Sequence, residues 1–278
     1  MHGITLDNSN EKYTIEVLIY RLKQKFGYIS YTVLTKYLYF SCTMKLLKKT
    51  MFTDRIDAGK DLARMLKQYK RENPLVIALP RGGVAVGFPV ARALRSPLEV
   101  EIVRKLGAPQ NLEIGIGALA EDGILYLDHD LLEYFQISQS TLRLIEKREK
   151  VELERRRKLY RRGKSLGLLT NRSVILVDDG LATGVTARAA ILSIKKHHPK
   201  KIIFAAPVCS RETAEEIRSL VDSIICVTYP EDMKAIGNYY SDFRQMTDEE
   251  VLAFLQKSNG QSSVMTPEES DFNHKIVW

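Results

Sequence analysis

The thirteen residues from Val174 to Thr186 read VILVDDGLATGVT, four apolar residues, two adjacent aspartates and a loop with almost no bulk in it. A small loop that runs into the start of a helix exposes successive backbone N–H groups and the positive end of the helix dipole, a combination suited to a phosphate monoester. Thr183 and Thr186 can add hydroxyl donors. Asp178 and Asp179 cannot face that same phosphate without repulsion, so they suit neutral hydroxyls such as a ribose diol, or a divalent cation. A phosphate beside a diol describes a ribose 5-phosphate.

Such a site needs a strand that ends in the aspartates and a helix that starts after the loop. The surrounding pattern supplies both. Thr53 reads as the N-cap of a helix with Ile56, Leu62, Met65, Leu66 and Tyr69 at helical spacing, stopped by Asn73-Pro74. A short buried strand, LVIAL (75–79), is followed by Pro80-Arg81-Gly82-Gly83 and a small-residue helix to about Leu94. Strand LEVEIV (98–103), a loop, and paired strands near Ile114–Leu119 and Ile124–Leu127 come next. Asp128 or Ser138 opens the helices that lead up to Arg162. Strands 174–177, 201–208 and 223–229 then alternate with helices 186–197, 211–220 and 248–256. Apolar strands alternating with helices imply an α/β fold, a parallel sheet with helices on both faces. In such sheets ligands bind at the C-terminal strand ends, where Asp178 and Asp179 stand.

The 278 residues carry 45% hydrophobic and 27% charged side chains, enough for one large core and unlike a disordered or fibrous chain. Cys42, Cys209 and Cys226 lack zinc-like spacing and read as reduced thiols of a cytoplasmic protein. No apolar run is long enough to span a bilayer. Residues 1–50 hold eight Lys or Arg against three acids and six of the thirteen tyrosines, giving five of the eight net positive charges. This basic, Tyr-rich extension is either an appended amphipathic element or lies upstream of a natural start at Met51. From Ser258 the composition is that of a flexible tail, which bounds the domain at 51–257. In the helix up to Arg162, Arg155, Arg156, Arg157, Arg161 and Arg162 alternate with Glu146, Glu149, Glu152 and Glu154. That spacing makes a solvated helix, with a nucleic-acid surface not expected.

Val174–Thr186 resembles the phosphoribosyl-pyrophosphate signature of type I phosphoribosyltransferases, and residues 53–256 most resemble bacterial members whose acceptors are not generally established. The resemblance implies that family's fold, with a small hood over the sheet edge. It gives Asp178 and Asp179 the ribose hydroxyls, and gives Ala182, Thr183, Gly184, Val185 and Thr186 the 5′-phosphate. Gly180 departs from the pattern, which usually has an apolar residue there. Arg81, Gly82 and Gly83 resemble the loop that holds pyrophosphate, and Arg104-Lys105 the basic pair at a strand end that contacts it, although Ala108 stands where a further lysine is common. In the hood stretch YPEDMKAIGNYYSDF (229–243), Tyr229 or Met233 would lie near the acceptor base and Asp232 near a metal. The end of the long helix, Tyr160 with Arg161, is where a catalytic lid would be sought.

The implied reaction is Mg²⁺-dependent transfer of the 5-phosphoribosyl group to a ring nitrogen, with a purine or related base as acceptor and pyrophosphate released. Arg81, Arg104 and Lys105 would serve the leaving group. The alternative is a non-catalytic module that senses phosphoribosyl pyrophosphate or a nucleotide. A homo-oligomer is the expected assembly. Because residues 1–50 supply none of the three donor-binding loops, a chain beginning at Met51 is expected to retain phosphoribosyl transfer. Loss of phosphoribosyl pyrophosphate binding by a folded, truncated protein, measured by calorimetry, would show that the extension reaches the site.

Overall fold

The computed structural model describes residues 5–6, 13–14 and 52–260. By backbone contacts the chain divides into two compact units, Met1–Thr50 and Met51–Trp278. In the first, strands β1 (Thr5–Leu6) and β2 (Tyr13–Thr14) pair antiparallel. The second holds the α/β architecture.

Helix α1 (Arg55–Leu66) starts one residue later than the sequence suggests: Asp54, not Thr53, is the N-cap, its carboxylate accepting from the Asp57 N–H at 2.8 Å. Strand β3 (Leu75–Ala78), helix α2 (Gly82–Leu94) and strand β4 (Leu98–Val100) follow. Further along come β8 (Ser173–Val177), α5 (Val185–Lys196), β9 (Lys201–Val208), α6 (Arg211–Ile217), β10 (Ser223–Thr228) and α7 (Asp248–Gly260). The sheet is parallel throughout, in the order β10-β9-β8-β3-β4, so β8 is its central strand.

Strand period dictates the layering. Val76, Ala78, Ile175, Val177, Ile203 and Ala205 point to one face, where they pack with α1, α2 and α7. Their neighbours Leu75, Ile77, Val174, Leu176, Ile202 and Phe204 point to the other, under α5 and α6. Every residue of β8 is buried. Such side chains contribute roughly 1.5–3 kcal/mol each by leaving water.

The stretch LEVEIV is not one strand. Its first half is β4, the edge of the parallel sheet; the chain then crosses to a second sheet, antiparallel, made of β5 (Val103–Ala108), β6 (Asn111–Ala120) and β7 (Leu125–Leu127). Arg104-Lys105 therefore lies within a strand. The crossing is polar. Glu101 N–H still reaches the Ala78 carbonyl at 3.2 Å, but Ile102 N–H donates to Glu121 Oε1 at 3.2 Å, and Val103 pairs with Ala120. Asp128 and Ser138 cap separate helices, α3 (His129–Tyr134) and α4 (Gln139–Arg161). Leu142, Ile145, Glu149, Leu153, Arg156 and Tyr160 form the buried stripe of α4.

Arg161 is no part of an open lid. Its Nη1 donates to Glu121 Oε1 at 3.0 Å and to the Val100 carbonyl at 3.1 Å, and both side chains are almost fully buried. Beside this pair lies Glu101, wholly buried with neither carboxyl oxygen hydrogen-bonded. Burial, with the nearby charge of Glu121, pushes the Glu101 carboxyl up to about 8. A carboxyl raised in the folded state keeps its proton over a pH range in which the unfolded chain has lost it, so it favours folding at low pH and disfavours it as pH rises. Stability should therefore fall between about pH 4.5 and 8 on account of this residue. Glu101→Gln is expected to flatten that fall, giving a gain of more than about 1 kcal/mol at the alkaline end. Denaturant unfolding at several pH values reads the slope, and an unchanged slope in the variant would exclude Glu101 as its source.

Candidate functional site

At the C-terminal end of β8 the chain emerges from between its two covering layers, and the next two residues are Asp178 and Asp179. Asp178 Oδ1 accepts from the Asp179 N–H at 2.8 Å. Asp179 Oδ2 accepts from Arg55 Nε at 2.8 Å, in a pair whose side chains are 11% and 15% exposed for Arg55 and Asp179. Tyr240 donates its hydroxyl to the Asp179 carbonyl at 2.6 Å. Burial raises the carboxyl of Asp178 well above the usual range, and the charge of Asp179 adds to it. Burial raises Asp179 too, while the Arg55 charge opposes the rise.

Gly82 belongs to this cluster for a steric reason. A Cβ there would sit 2.0 Å from Asp179 Oδ2 and 2.9 Å from Arg55 Nε, so any side chain would break the ion pair. A Cβ on Gly83 would sit 2.8 Å from the Val177 carbonyl oxygen. The Pro80-Arg81-Gly82-Gly83 turn thus lies directly against the aspartates, and its Pro80–Arg81 peptide bond is cis.

The loop after the aspartates is fixed from behind. Leu181 N–H donates to the Val208 carbonyl, Ser210 N–H to the Leu181 carbonyl at 2.7 Å, and Thr213 Oγ1 to the Ala182 carbonyl at 2.5 Å. Gly184 is the N-cap of α5, with φ at 75°, and no side chain caps that end. Among the described residues, the N–H groups of Ala182, Thr183, Gly184, Val185 and Thr186 have no backbone partner outside the helix, as the first turn of a helix leaves them. Carbonyls tied to α6 and free amides on the loop make an anion cradle. Thr183 is exposed and Thr186 partly so. Gly180 is closed off by the hood: a Cβ there would meet Ile236 at 2.6 Å, so the missing side chain makes room for Ile236 rather than leaving slack.

The basic residues expected at one leaving group are spread apart. Arg81 faces the start of α7, with Nη2 3.3 Å from Gln245 Oε1 and Nη1 3.8 Å from Asp248 Oδ1. Asp248 also takes the Tyr160 hydroxyl and, at 2.8 Å, Arg155 Nη2. Burial and this carboxylate push the Tyr160 phenol up, so it stays a neutral donor. Arg104 and Lys105, adjacent in β5, diverge. Arg104 donates to one oxygen of Glu149 on α4, Oε2, through Nε at 2.9 Å and Nη2 at 2.7 Å. Lys105 donates to the Glu113 carbonyl at 2.8 Å, and its stem shares with Val185 the space over Gly115.

On the other side of the cradle, Ser210, Arg211, Glu212, Pro230, Asp232 and Met233 line an open cleft of ≈ 610 Å³. The Arg211 guanidinium lies 5.5 Å from the centre of the Tyr229 ring, and burial pushes the Tyr229 hydroxyl up to about 12. Tyr229, Met233 and Asp232 are thus gathered beside the loop. A hollow of ≈ 560 Å³ along β4 and the 162–169 loop lies at the opposite end of the sheet and shares none of these residues.

Among the described residues, no group of three or more His, Cys, Asp or Glu side chains is placed to hold a metal. Asp232 is exposed and stands apart from the acid pair's hydrogen bonds. Asp178 and Asp179 each keep one carboxyl oxygen without a hydrogen bond among the described residues. Two such oxygens fit Mg²⁺, which retains waters and takes substrate phosphates instead of a protein cage. Sequence reasoning missed Arg55, Tyr240 and Thr213. Arg55 stands in the first turn of the expected helix and Tyr240 inside the hood stretch, and nothing local marks either as a partner of Asp179.

A family model described as the phosphoribosyl transferase domain matches residues 51–244. Two proposed phosphoribosyl transferases of Mycobacterium tuberculosis, MT0597 and Rv0571c, are each 38% identical over 209 residues, 75% of this chain and 47% of theirs. The chain thus spans about half the length of those two proteins. The crystal structure of TT1426 from Thermus thermophilus is 40% identical and superposes with a TM-score of 0.61, covering 74% of this chain and 98% of that one. No helix among the described residues is long and apolar enough to cross a membrane.

The cradle makes Gly184→Val informative. The substitution puts a branched residue at φ 75°, with its Cβ 2.6 Å from Thr213 Cγ2, at a cost of about 1–3 kcal/mol. It is expected to weaken binding of phosphoribosyl pyrophosphate by about tenfold or more while the protein stays folded. Equal affinity by calorimetry would count against the cradle.

Proposed function

Since the chain belongs to the phosphoribosyl transferase domain family, we propose that it transfers the 5-phosphoribosyl group of phosphoribosyl pyrophosphate to a nitrogen of a nucleobase-like acceptor. The observation that carries this reading is the placing of two carboxylates and an amide-lined loop at the end of one central strand. In the reaction the bond from ribose C1 to the diphosphate oxygen breaks, and a bond from C1 to the acceptor nitrogen forms. The diphosphate leaves with the electron pair, and the proton on nitrogen passes to solvent.

The residues divide this work by charge. The amides of Ala182–Thr186 and the Thr183 and Thr186 hydroxyls hold the 5′-phosphate. The free oxygens of Asp178 and Asp179 accept from the ribose hydroxyls and stabilise positive charge developing on the ring. Gly82 and Gly83 bring backbone close to the diphosphate, and Arg81 and Lys105 are the cations we assign to it. Asp178 and Asp179 would hold Mg²⁺, which would supply neutralisation of the leaving group. Tyr229 and Met233 offer the acceptor an aromatic and an apolar surface in the cleft beside Ser210. A purine or related base is the acceptor class we assign.

A second reading, a sensor that binds phosphoribosyl pyrophosphate or a nucleotide without turnover, is favoured by one observation: Arg104 is committed to Glu149, and Arg81 leans to Asp248. Incubation with donor, Mg²⁺ and a panel of purine and pyrimidine bases separates the two by pyrophosphate release. The double variant Asp178→Asn with Asp179→Asn is expected to lower that release by more than about 100-fold. It should remain folded, with some loss of stability because Arg55 loses its ion pair. Undiminished release would move the active site elsewhere, and donor binding without release from any base would favour the sensor.

A further inference from the structure

The guanidinium of Arg55 has three engagements at once. Nε donates to Asp179 Oδ2 at 2.8 Å. Nη1 donates to the Arg244 carbonyl at 2.9 Å. Its plane lies over the Phe243 ring, 3.9 Å from the ring centre, with the Tyr240 ring 6.0 Å away. Tyr240 in turn packs against Phe243 at 5.0 Å and holds the Asp179 carbonyl through its hydroxyl. Asp179 is therefore gripped at its carboxylate and at its backbone by groups that also hold the 240–244 segment.

Three segments distant in sequence meet here: the first residue of α1, the end of β8 and the end of the hood. The planar fork of arginine allows the arrangement, because it directs one N–H to a carboxylate and another to a carbonyl while its face rests on a ring. A lysine ammonium has one nitrogen and no face. With Nε and Nη1 turned to internal partners and its side chain largely buried, Arg55 is a poor candidate for gripping a phosphate. Its geometry is that of a strut between the acids and the segment that covers them.

We propose that Arg55 is a positioning residue that couples the hood segment Tyr240–Arg244 to the acid pair, so that donor binding at the aspartates and ordering of the hood stabilise each other. The proposal rests on the donor reading of Asp178 and Asp179. Linkage makes the coupling reciprocal: whatever settles the hood on Arg55 tightens the donor, and the donor settles the hood.

The test uses the full chain and phosphoribosyl pyrophosphate with Mg²⁺. Calorimetry gives donor affinity for wild type, Arg55→Met, Arg55→Lys, Phe243→Leu and the double variant Arg55→Met with Phe243→Leu. Amide hydrogen exchange follows residues 236–244 with and without donor. Arg55→Met is expected to weaken the donor by about tenfold or more, and Arg55→Lys, with charge but no fork, to recover part of that. Phe243→Leu should weaken donor binding in the wild-type background and add little once Arg55 is gone. Donor should slow exchange at 240–244 in wild type and not in Arg55→Met. A purely structural Arg55 would lower the melting temperature and leave the exchange response to donor intact, which overturns the proposal, as do additive effects in the double variant. If Arg55→Met does not fold, Arg55→Lys carries the same comparison. Failure of wild type to bind donor overturns the donor reading and the proposal together; binding with an unchanged exchange response in the Arg55 variants overturns the proposal alone.

Discussion

A parallel strand covered on both faces can offer chemistry only where it ends, and β8 is such a strand. Its five residues are buried, its neighbours β3 and β9 complete its ladder on both edges, and after the apolar run 174–177 the next side chains are the two aspartates. Placing two carboxylates at that boundary is costly, since neither is fully hydrated. Much of the surrounding structure answers this one constraint. Arg55 supplies the charge, the Asp179 amide a hydrogen bond to the Asp178 carboxylate, the Tyr240 hydroxyl a hold on the Asp179 backbone carbonyl, and Gly82 supplies room.

The same boundary orders the rest of the site. The loop that follows has the Leu181 and Ala182 carbonyls fastened to the start of α6, and among the described residues its 182–186 amides have no backbone partner outside the helix. The cleft next to it is built from the start of α6 and the 230–234 turn, on the far side of those fastenings. On the proposed reading, the donor and acceptor surfaces are the two sides of a single loop. That arrangement places a phosphate and a second ligand side by side with no large movement of the sheet.

What could be read from residues alone followed from periodicity and local chemistry. The alternation of apolar runs with helical spacing gave the parallel sheet, and VILVDDGLATGVT gave the strand end, the acids and the cradle, because each of these is a local property. The sheet switch inside LEVEIV was illegible: Val100 and Val103 are equally apolar, and only the long-range partners Ala78 and Ala120 tell which sheet each joins. The divergence of Arg104 from Lys105 was hidden for a related reason, since a loop would have let both point one way and a strand does not. Arg55 was invisible because its partners lie 124 and 189 residues away. Tyr160 and Arg161 suggested a lid by position and proved to be fixed by Asp248 and Glu121, which no local pattern announces.

The meeting of Arg81, Arg155, Tyr160 and Asp248 has a consequence in time. A ribosome delivers the chain from its N-terminus, and early segments can begin to fold before late ones exist. Arg81 and Arg155 are made before the carboxylate that collects them, which opens the last of the described helices. Without that carboxylate Arg81 and Tyr160 lack the partner that holds them here, and Arg155 keeps only Glu152. The corner beside the Gly82 turn can therefore set only once three segments far apart in the described chain have met, whatever the sheet has already completed.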